Sequence, residues 1–300
     1  GIELMQLAPL IERINLYEKL MRLDKPIGIL LLLWPTLWGL WIASAGLPNL
    51  MLLWIFVFGT VLMRSAGCVI NDYADRDFDP HVERTKDRPL AARKVSTKEA
   101  LLLAGGLTLC AFLLILPLNR LAILLSIPAA LLAASYPFTK RFFPLPQAYL
   151  GICFGFGIPM AFAATWDQVP PLAWALLVAN IFWTVAYDTA YAMVDREHDL
   201  KIGIKTSAIT FGRFDVAAIF ICQLLFLVCM GTIGYWQKFG GAYFAGLGIA
   251  LTLVGQQYHL IRERIPEKCF RAFLDNNYVG LAIFAGIVLD QFLRTPAWLR

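Results

Sequence analysis

The sequence is poor in charge: Lys, Arg, Asp and Glu make up only 16% of its 300 residues, against about 25% in an ordinary soluble domain. Set beside a hydrophobic content of 59%, that deficit excludes a water-soluble fold. Metal-binding sulfur and nitrogen are also scarce. Cys68, Cys110, Cys153, Cys222, Cys229 and Cys269 are dispersed without a Cys-x-x-Cys pair, and there are only three histidines. This argues against a disulfide frame or a zinc site and makes the cysteines small apolar fillers. His81 and His198 adjoin acidic clusters but read as incidental surface residues. No block of basic residues exists, so the net charge of +5 gives no reason to invoke nucleic acid. Nothing at the start reads as a cleavable signal or transit peptide, and Gly1 in place of methionine is expected to reflect either trimming or an engineered start.

What the sequence has instead is apolar length. Runs of roughly 20 apolar residues span a bilayer as helices, because in hydrocarbon every backbone N–H and C=O must find its partner within the segment. The spacing predicts about nine, at roughly 27–46, 50–70, 99–117, 120–137, 147–166, 171–191, 215–236, 241–260 and 277–293. They leave no room for a separate soluble domain, so the expected organisation is one all-α membrane domain over residues 1–300. Residues 1–24 form an interfacial N-terminal segment, in which Leu10, Ile14, Tyr17, Leu20 and Met21 recur at helical spacing between charges. Lys and Arg concentrate in this segment and in every second loop. The positive-inside bias therefore places the N-terminus in the cytoplasm and the C-terminus outside.

Two acidic stretches end oily segments on that cytoplasmic side. The second span runs into Asn71-Asp72-Tyr73-Ala74-Asp75-Arg76-Asp77-Phe78-Asp79, and the sixth into Asp188 through Asp199. Asp195 and Asp199 follow Asp75 and Asp79 at one constant interval, and Tyr191 stands where Asn71 stood. The recurrence after four spans predicts two four-helix pseudo-repeats plus one added helix around a central cavity. If the helices continue into these stretches, Asn71, Asp72, Asp75 and Asp79 fall within an arc of about 100°, and Asp188, Asp195 and Asp199 within about 40°. Carboxylates stacked so closely repel unless a cation neutralises them. A single such stripe is ordinarily solvated surface charge; two matching copies at equivalent places point to a shared ligand. Oxygen donors without a His–Cys set favour Mg2+, which is commonly completed by substrate phosphates. With Lys86, Arg88, Lys140, Arg141, Lys201 and Lys205 in neighbouring loops, the pattern reads as a diphosphate clamp at the membrane surface. A transporter is the competing class, but its acidic residues belong near the bilayer midplane. Arg64 lies inside the second span and needs an anionic partner, either a structural carboxylate such as Asp188 or a carboxylate on the substrate.

The paired motifs, together with Arg22-Leu23-Asp24-Lys25-Pro26-Ile27-Gly28 and Tyr136-Pro137-Phe138-Thr139-Lys140-Arg141, resemble the UbiA superfamily of intramembrane aromatic prenyltransferases over essentially the whole chain. Stretches such as LLLLWPTLWGLW, YAMVDREHDLKIGIKTSAI and DNNYVGL are similar to its bacterial branch acting on 4-hydroxybenzoate in ubiquinone biosynthesis. The resemblance implies a cavity open sideways to lipid. It also implies Mg2+-dependent transfer of a polyprenyl chain from polyprenyl diphosphate to the ring carbon ortho to the hydroxyl of 4-hydroxybenzoate, in the bacterial inner membrane. A naphthoate or homogentisate acceptor is the alternative. On this reading Asn71, Asp75, Asp79, Asp195 and Asp199 hold the metal, and Arg22, Lys140 and Arg141 hold phosphate oxygens. Asp188 orients or deprotonates the phenol, Arg64 is a possible anchor for the acceptor carboxylate, and Ser135, Tyr136 and Tyr191 line the substrate region.

Overall fold

The computed structural model describes residues 2–299; Gly1, on which the expectation of trimming or an engineered start rests, and Arg300 lie outside them. The described chain is helical throughout, without a strand. In order come α1 (Ile2–Leu20), α2 (Ile27–Ser44), α3 (Leu50–Ala74), α4 (Thr97–Ile115), α5 (Arg120–Ser135), α6 (Pro146–Gly155), α7 (Gly157–Trp166), α8 (Pro171–Val194), α9 (Arg196–Ile202), α10 (Ser207–Phe211), α11 (Asp215–Trp236), α12 (Gly241–Ile261) and α13 (Pro266–Arg294). Local signals set many ends. Asn49 and Asn119 accept backbone N–H bonds at the starts of α3 and α5, and Ser96 with Glu99 forms a capping box on α4. Pro171 and Pro266 open α8 and α13 at positions where an N–H has no helical partner anyway.

Eight of the described helical segments are long and apolar enough to cross a membrane. Gly241–Ile261, the expected eighth span, is continuous over 21 residues but less apolar, because Gln256, Gln257, Tyr258 and His259 fill its last turns. The expected fifth span is broken at Phe156 into α6 and α7, where Pro159 cannot donate back to Gly155. The last helix begins at Pro266, well before the expected start at 277. Its first turns are polar, and at 29 residues it extends beyond the roughly 30 Å hydrocarbon layer. The N-terminal helix likewise fills Ile2–Leu20 and stops in a left-handed turn at Arg22, φ 58°.

Each long helix packs on the next in sequence, and α13 returns to α2 and α8, closing a ring. The outer surface is oily: Leu102 and Val228 are 66% and 63% exposed, an arrangement that only a lipid surround makes favourable. Between helices, close contact depends on small residues. A Cβ on Gly246 of α12 would lie 2.8 Å from the Ala282 carbonyl oxygen, and one on Gly151 of α6 would lie 2.8 Å from Ile181 Cα. Behind the cavity, Trp183, Gln223 and Gln257 converge on Asn276 through hydrogen bonds of 2.9–3.2 Å. These tie α8, α11, α12 and α13 together out of reach of water.

Candidate active site

The helices α3 and α8 end alike. Asp75 and Asp195 are their C-terminal caps, with φ, ψ of −96°, 7° and −107°, 11°. The helices do not run on through the acidic stretches as expected. Instead each chain kinks at the cap, and the Asp79 and Asp199 N–H groups donate to the Asp75 and Asp195 carbonyls at 2.8 and 2.9 Å. A four-residue spacing therefore survives the kink and keeps each pair of carboxylates together. Asp75, Asp79 and Asp199 are buried. Burial lifts the Asp199 carboxyl to about 7, and the Asp195 carboxylate, with a smaller contribution from Asp75 of the other motif, adds to the rise. The two helix ends thus sit within electrostatic reach of one another. Burial likewise lifts Asp79 to about 6, against the Arg88 guanidinium.

Each acidic end is balanced by a cation brought from elsewhere. Lys140 Nζ donates to Asp75 Oδ2 at 2.8 Å and to Asn71 Oδ1 at 3.2 Å. Arg84 grips Asp195 through Nη2 and Nε, at 2.6 and 3.0 Å, with its guanidinium over the Tyr191 ring. Arg88 Nη1 lies 3.4 Å from both Asp79 Oδ2 and Asp72 Oδ1, and Arg22 Nη2 lies 2.5 Å from the same Asp72 oxygen. Arg84 was not among the residues singled out from sequence, where it is one of several cations in the segment 76–94. The only signal there was the density of basic residues between two spans. Arg141 is placed differently from expectation: it is exposed, donates to the Ala74 carbonyl and lies over Phe78 and Phe138. It pins the end of α3 and does not line the cavity. Lys86 pairs with Glu83 at the surface, and Lys205 donates to the Phe142 carbonyl.

Below this charged end lies a cavity of about 1260 Å³, walled by residues of α2 through α8 and α13. Its polar wall includes Arg22, Arg64, Asn71, Tyr136, Asp188 and Tyr191 from the expected set, together with Arg84 and Arg88. The rest is largely apolar, with Leu31, Phe56, Met63, Phe112 and Met160 among the lining residues. Arg64 donates to the Arg22 carbonyl at 3.1 Å. Among the described residues it has no carboxylate within 4.0 Å, so Asp188 is not its partner. Its guanidinium rests on Gly28, where a Cβ would come within 2.3 Å of Nη2. Asp188 faces the Gln147 side chain, which accepts the Ser207 N–H at 2.8 Å. The expectation for Ser135 is not met: it is exposed, and its hydroxyl meets the Leu131 carbonyl and Tyr149 Oη on the outer side of α5. α5 ends there, and the following turn sends Tyr136 inward and leaves Ser135 outside.

A closed ring of membrane helices around an oily chamber, with acidic and basic groups gathered at one end, suits an amphiphile that keeps its tail in lipid and its head at the surface. Residues 32–284 match the UbiA prenyltransferase family, and the chain belongs to that family. It is 66% identical over 286 residues to the 4-hydroxybenzoate octaprenyltransferase of Thiobacillus denitrificans, covering 95% of this chain and 98% of the relative. It is 68% identical over 280 residues to the enzyme of the same name from Dechloromonas aromatica, with coverage of 93% and 95%. In fold it is similar to the apo structure of a UbiA homologue from Aeropyrum pernix (TM-score 0.77, 24% identity, 88% of this chain and 98% of that one). It is also similar to a UbiA homologue from Archaeoglobus fulgidus bound to GPP and Mg2+ (TM-score 0.68, 17% identity, 90% and 99%).

Proposed function

We propose that this protein is a 4-hydroxybenzoate polyprenyltransferase of ubiquinone biosynthesis, transferring a polyprenyl group from its diphosphate to the carbon ortho to the phenol hydroxyl. This reading is supported by two carboxylate-capped helix ends that lie within electrostatic reach of one another at the end of one apolar cavity, in a chain about two-thirds identical to enzymes named 4-hydroxybenzoate octaprenyltransferase. We place it, as one membrane domain, in the bacterial inner membrane with the N-terminus and both motifs cytoplasmic, on the asymmetry of Lys and Arg between loops. Residues 1–24 then lie along the interface.

The donor chemistry at the mouth fits a hard divalent cation. Asn71, Asp75, Asp79, Asp195 and Asp199 offer only oxygens. Among the described residues no three acidic, His or Cys side chains are already gathered into a metal cage; Mg2+ ordinarily keeps several waters and takes phosphate oxygens from its substrate. Those five residues would hold it, and the ion would supply Lewis-acid stabilisation of the departing diphosphate. Lys140 and Arg84, which neutralise Asp75 and Asp195 in the free protein, would turn to the phosphate oxygens, joined by Arg22 and Arg88 on the cavity wall.

The allylic C–O bond breaks with its electron pair leaving on the diphosphate. The apolar wall keeps water from the allylic cation until the ring carbon attacks. Asp188 orients the phenol and takes up its proton as the ring carbon bonds to the allylic carbon; the hydrogen on that ring carbon is then released as a proton and the dienone oxygen is reprotonated, restoring the aromatic phenol, with one proton released overall beside the diphosphate. Tyr136 and Tyr191 line the same region. Arg64, without a carboxylate partner among the described residues, anchors the acceptor carboxylate.

Purified protein incubated with Mg2+, 4-hydroxybenzoate and prenyl diphosphates of several lengths, octaprenyl included, should yield prenylated acceptor by mass spectrometry. Diphosphate release should depend on the cation. Product with a naphthoate or homogentisate but none with 4-hydroxybenzoate would reassign the acceptor; no product with any of them would overturn the transferase reading.

A further inference from the structure

Asp72 is an acidic residue of the first motif for which the reaction above has no use. It is only 1% exposed, and its Oδ2 has no hydrogen-bond partner among the described residues. Its other oxygen, Oδ1, takes both guanidinium groups in reach: Arg22 Nη2 at 2.5 Å and Arg88 Nη1 at 3.4 Å. These arginines come from different places in the chain, Arg22 from the turn after α1 and Arg88 from the segment joining α3 to α4, and both line the cavity.

Arg22 is held with unusual firmness. The Arg22 and Leu23 N–H groups donate to Lys19 and Glu18 at 3.2 and 3.0 Å, a two-bond helix stop that ordinarily places glycine at the left-handed residue. Here that residue is arginine, at φ 58°, a conformation that side-chain-bearing residues adopt at a cost. Its carbonyl accepts from Arg64 and its guanidinium ends on Asp72.

We infer that Asp72 is a positioning residue for the diphosphate-binding cations: one buried carboxylate fixes Arg22 and Arg88 at set places on the cavity wall, and it does not ligate the metal. The inference rests on the proposed transferase reading. Arg88 divides its contact between Asp72 and Asp79, at 3.4 Å each, so only Asp72 is committed to the arginine pair; once Asp79 turns to the metal, the pair carries an excess of positive charge that attracts an anion while its geometry is fixed in advance.

The test compares Asp72→Asn with Asp75→Asn in the full-length protein, purified in detergent. Three quantities are read: the Kd for inorganic pyrophosphate at saturating Mg2+, the Mg2+ concentration for half-maximal activity, and the KM for 4-hydroxybenzoate. Asp72→Asn should weaken pyrophosphate binding by about 10-fold or more, in line with loss of charge-assisted bonds, and leave the other two within about twofold. Asp75→Asn should instead move the Mg2+ requirement. An Asp72→Asn protein whose Mg2+ requirement shifts as that of Asp75→Asn does, or whose pyrophosphate affinity is unchanged, overturns the inference.

Removing a buried countercharge can also unfold a protein, so Arg22→Gln, Arg88→Gln and the double variant provide a second measurement. Each single change should weaken pyrophosphate binding with acceptor KM unchanged, and adding Asp72→Asn to the double variant should cost nothing further. A full additional loss in that background refutes the coupling. Failure of the unaltered protein to bind pyrophosphate would instead refute the transferase reading itself.

Discussion

Gly28→Ala offers a sharp test of how the acceptor is held, because it perturbs Arg64 without altering a charge. A Cβ at residue 28 would lie 2.3 Å from Arg64 Nη2 and 3.2 Å from its Cζ. Ordinary contact requires 3.5 Å or more, so the guanidinium must retreat by about 1 Å. Its bond to the Arg22 carbonyl, 3.1 Å long, resists that movement. A carboxylate held by Arg64 then loses charge-assisted hydrogen bonds that contribute about 1.5–3 kcal/mol, which corresponds to about 10- to 150-fold in affinity. Residue 28 lies in the first turn of α2, where alanine is a better helix former than glycine, so lost activity is not readily blamed on lost helix. Initial rates with 4-hydroxybenzoate varied at saturating prenyl diphosphate should show acceptor KM raised within that range and kcat nearly constant, with donor KM unmoved. Arg64→Gln should reproduce the pattern, and an acceptor lacking the carboxylate should be insensitive to either change. Unchanged acceptor KM in both variants, with each protein monodisperse, refutes Arg64 as the anchor.

Asp75→Asn and Asp195→Asn should each abolish turnover, since each removes a charged donor at the cap of its helix, while circular dichroism in detergent stays that of the parent; normal product formation in both by mass spectrometry sinks the metal clamp. Mg2+ binding should weaken on acidification. Burial, then the Asp195 carboxylate, raises Asp199 to about 7, and burial raises Asp79 to about 6, so both are free of protons only above those values. Calorimetric titration of Mg2+ with pyrophosphate from pH 8 to 5 should show affinity falling from about pH 7 downward, and a flat profile contradicts the assignment. Gly151→Val should lower the melting temperature in detergent without a selective effect on either substrate, because its side chain meets Ile181 Cα where a Cβ already stands at 2.8 Å. An overpacking cost of about 1–3 kcal/mol is expected, and an unchanged melting temperature would mean that α6 and α8 separate freely.

Some features that read clearly along the chain proved only locally true. Four-residue spacing of the aspartates held, but through a cap and a backbone bond at Asp75 and Asp195, not through a continuous helix. Ser135 and Tyr136 are neighbours in sequence, yet one lies outside and the other lines the cavity. The fifth span broke because Pro159 withholds a donor, a signal visible beforehand in the composition of that segment. Arg84 stood out from Arg93 and Lys94 by nothing in its own neighbourhood, since its partner Asp195 lies far along the chain.

The amino-acid order alone determined the helices, the membrane setting and the presence of two matching acidic ends, because hydrocarbon compels each segment to satisfy its own backbone and hydropathy is therefore a local property. Closure of the ring decided which cation meets which carboxylate. Lys140 reaching Asp75, Arg84 reaching Asp195, and Arg22 and Arg88 sharing Asp72 are contacts between residues remote in sequence. Their energies depend on distance and burial, and those quantities exist only once α13 has packed back against α2.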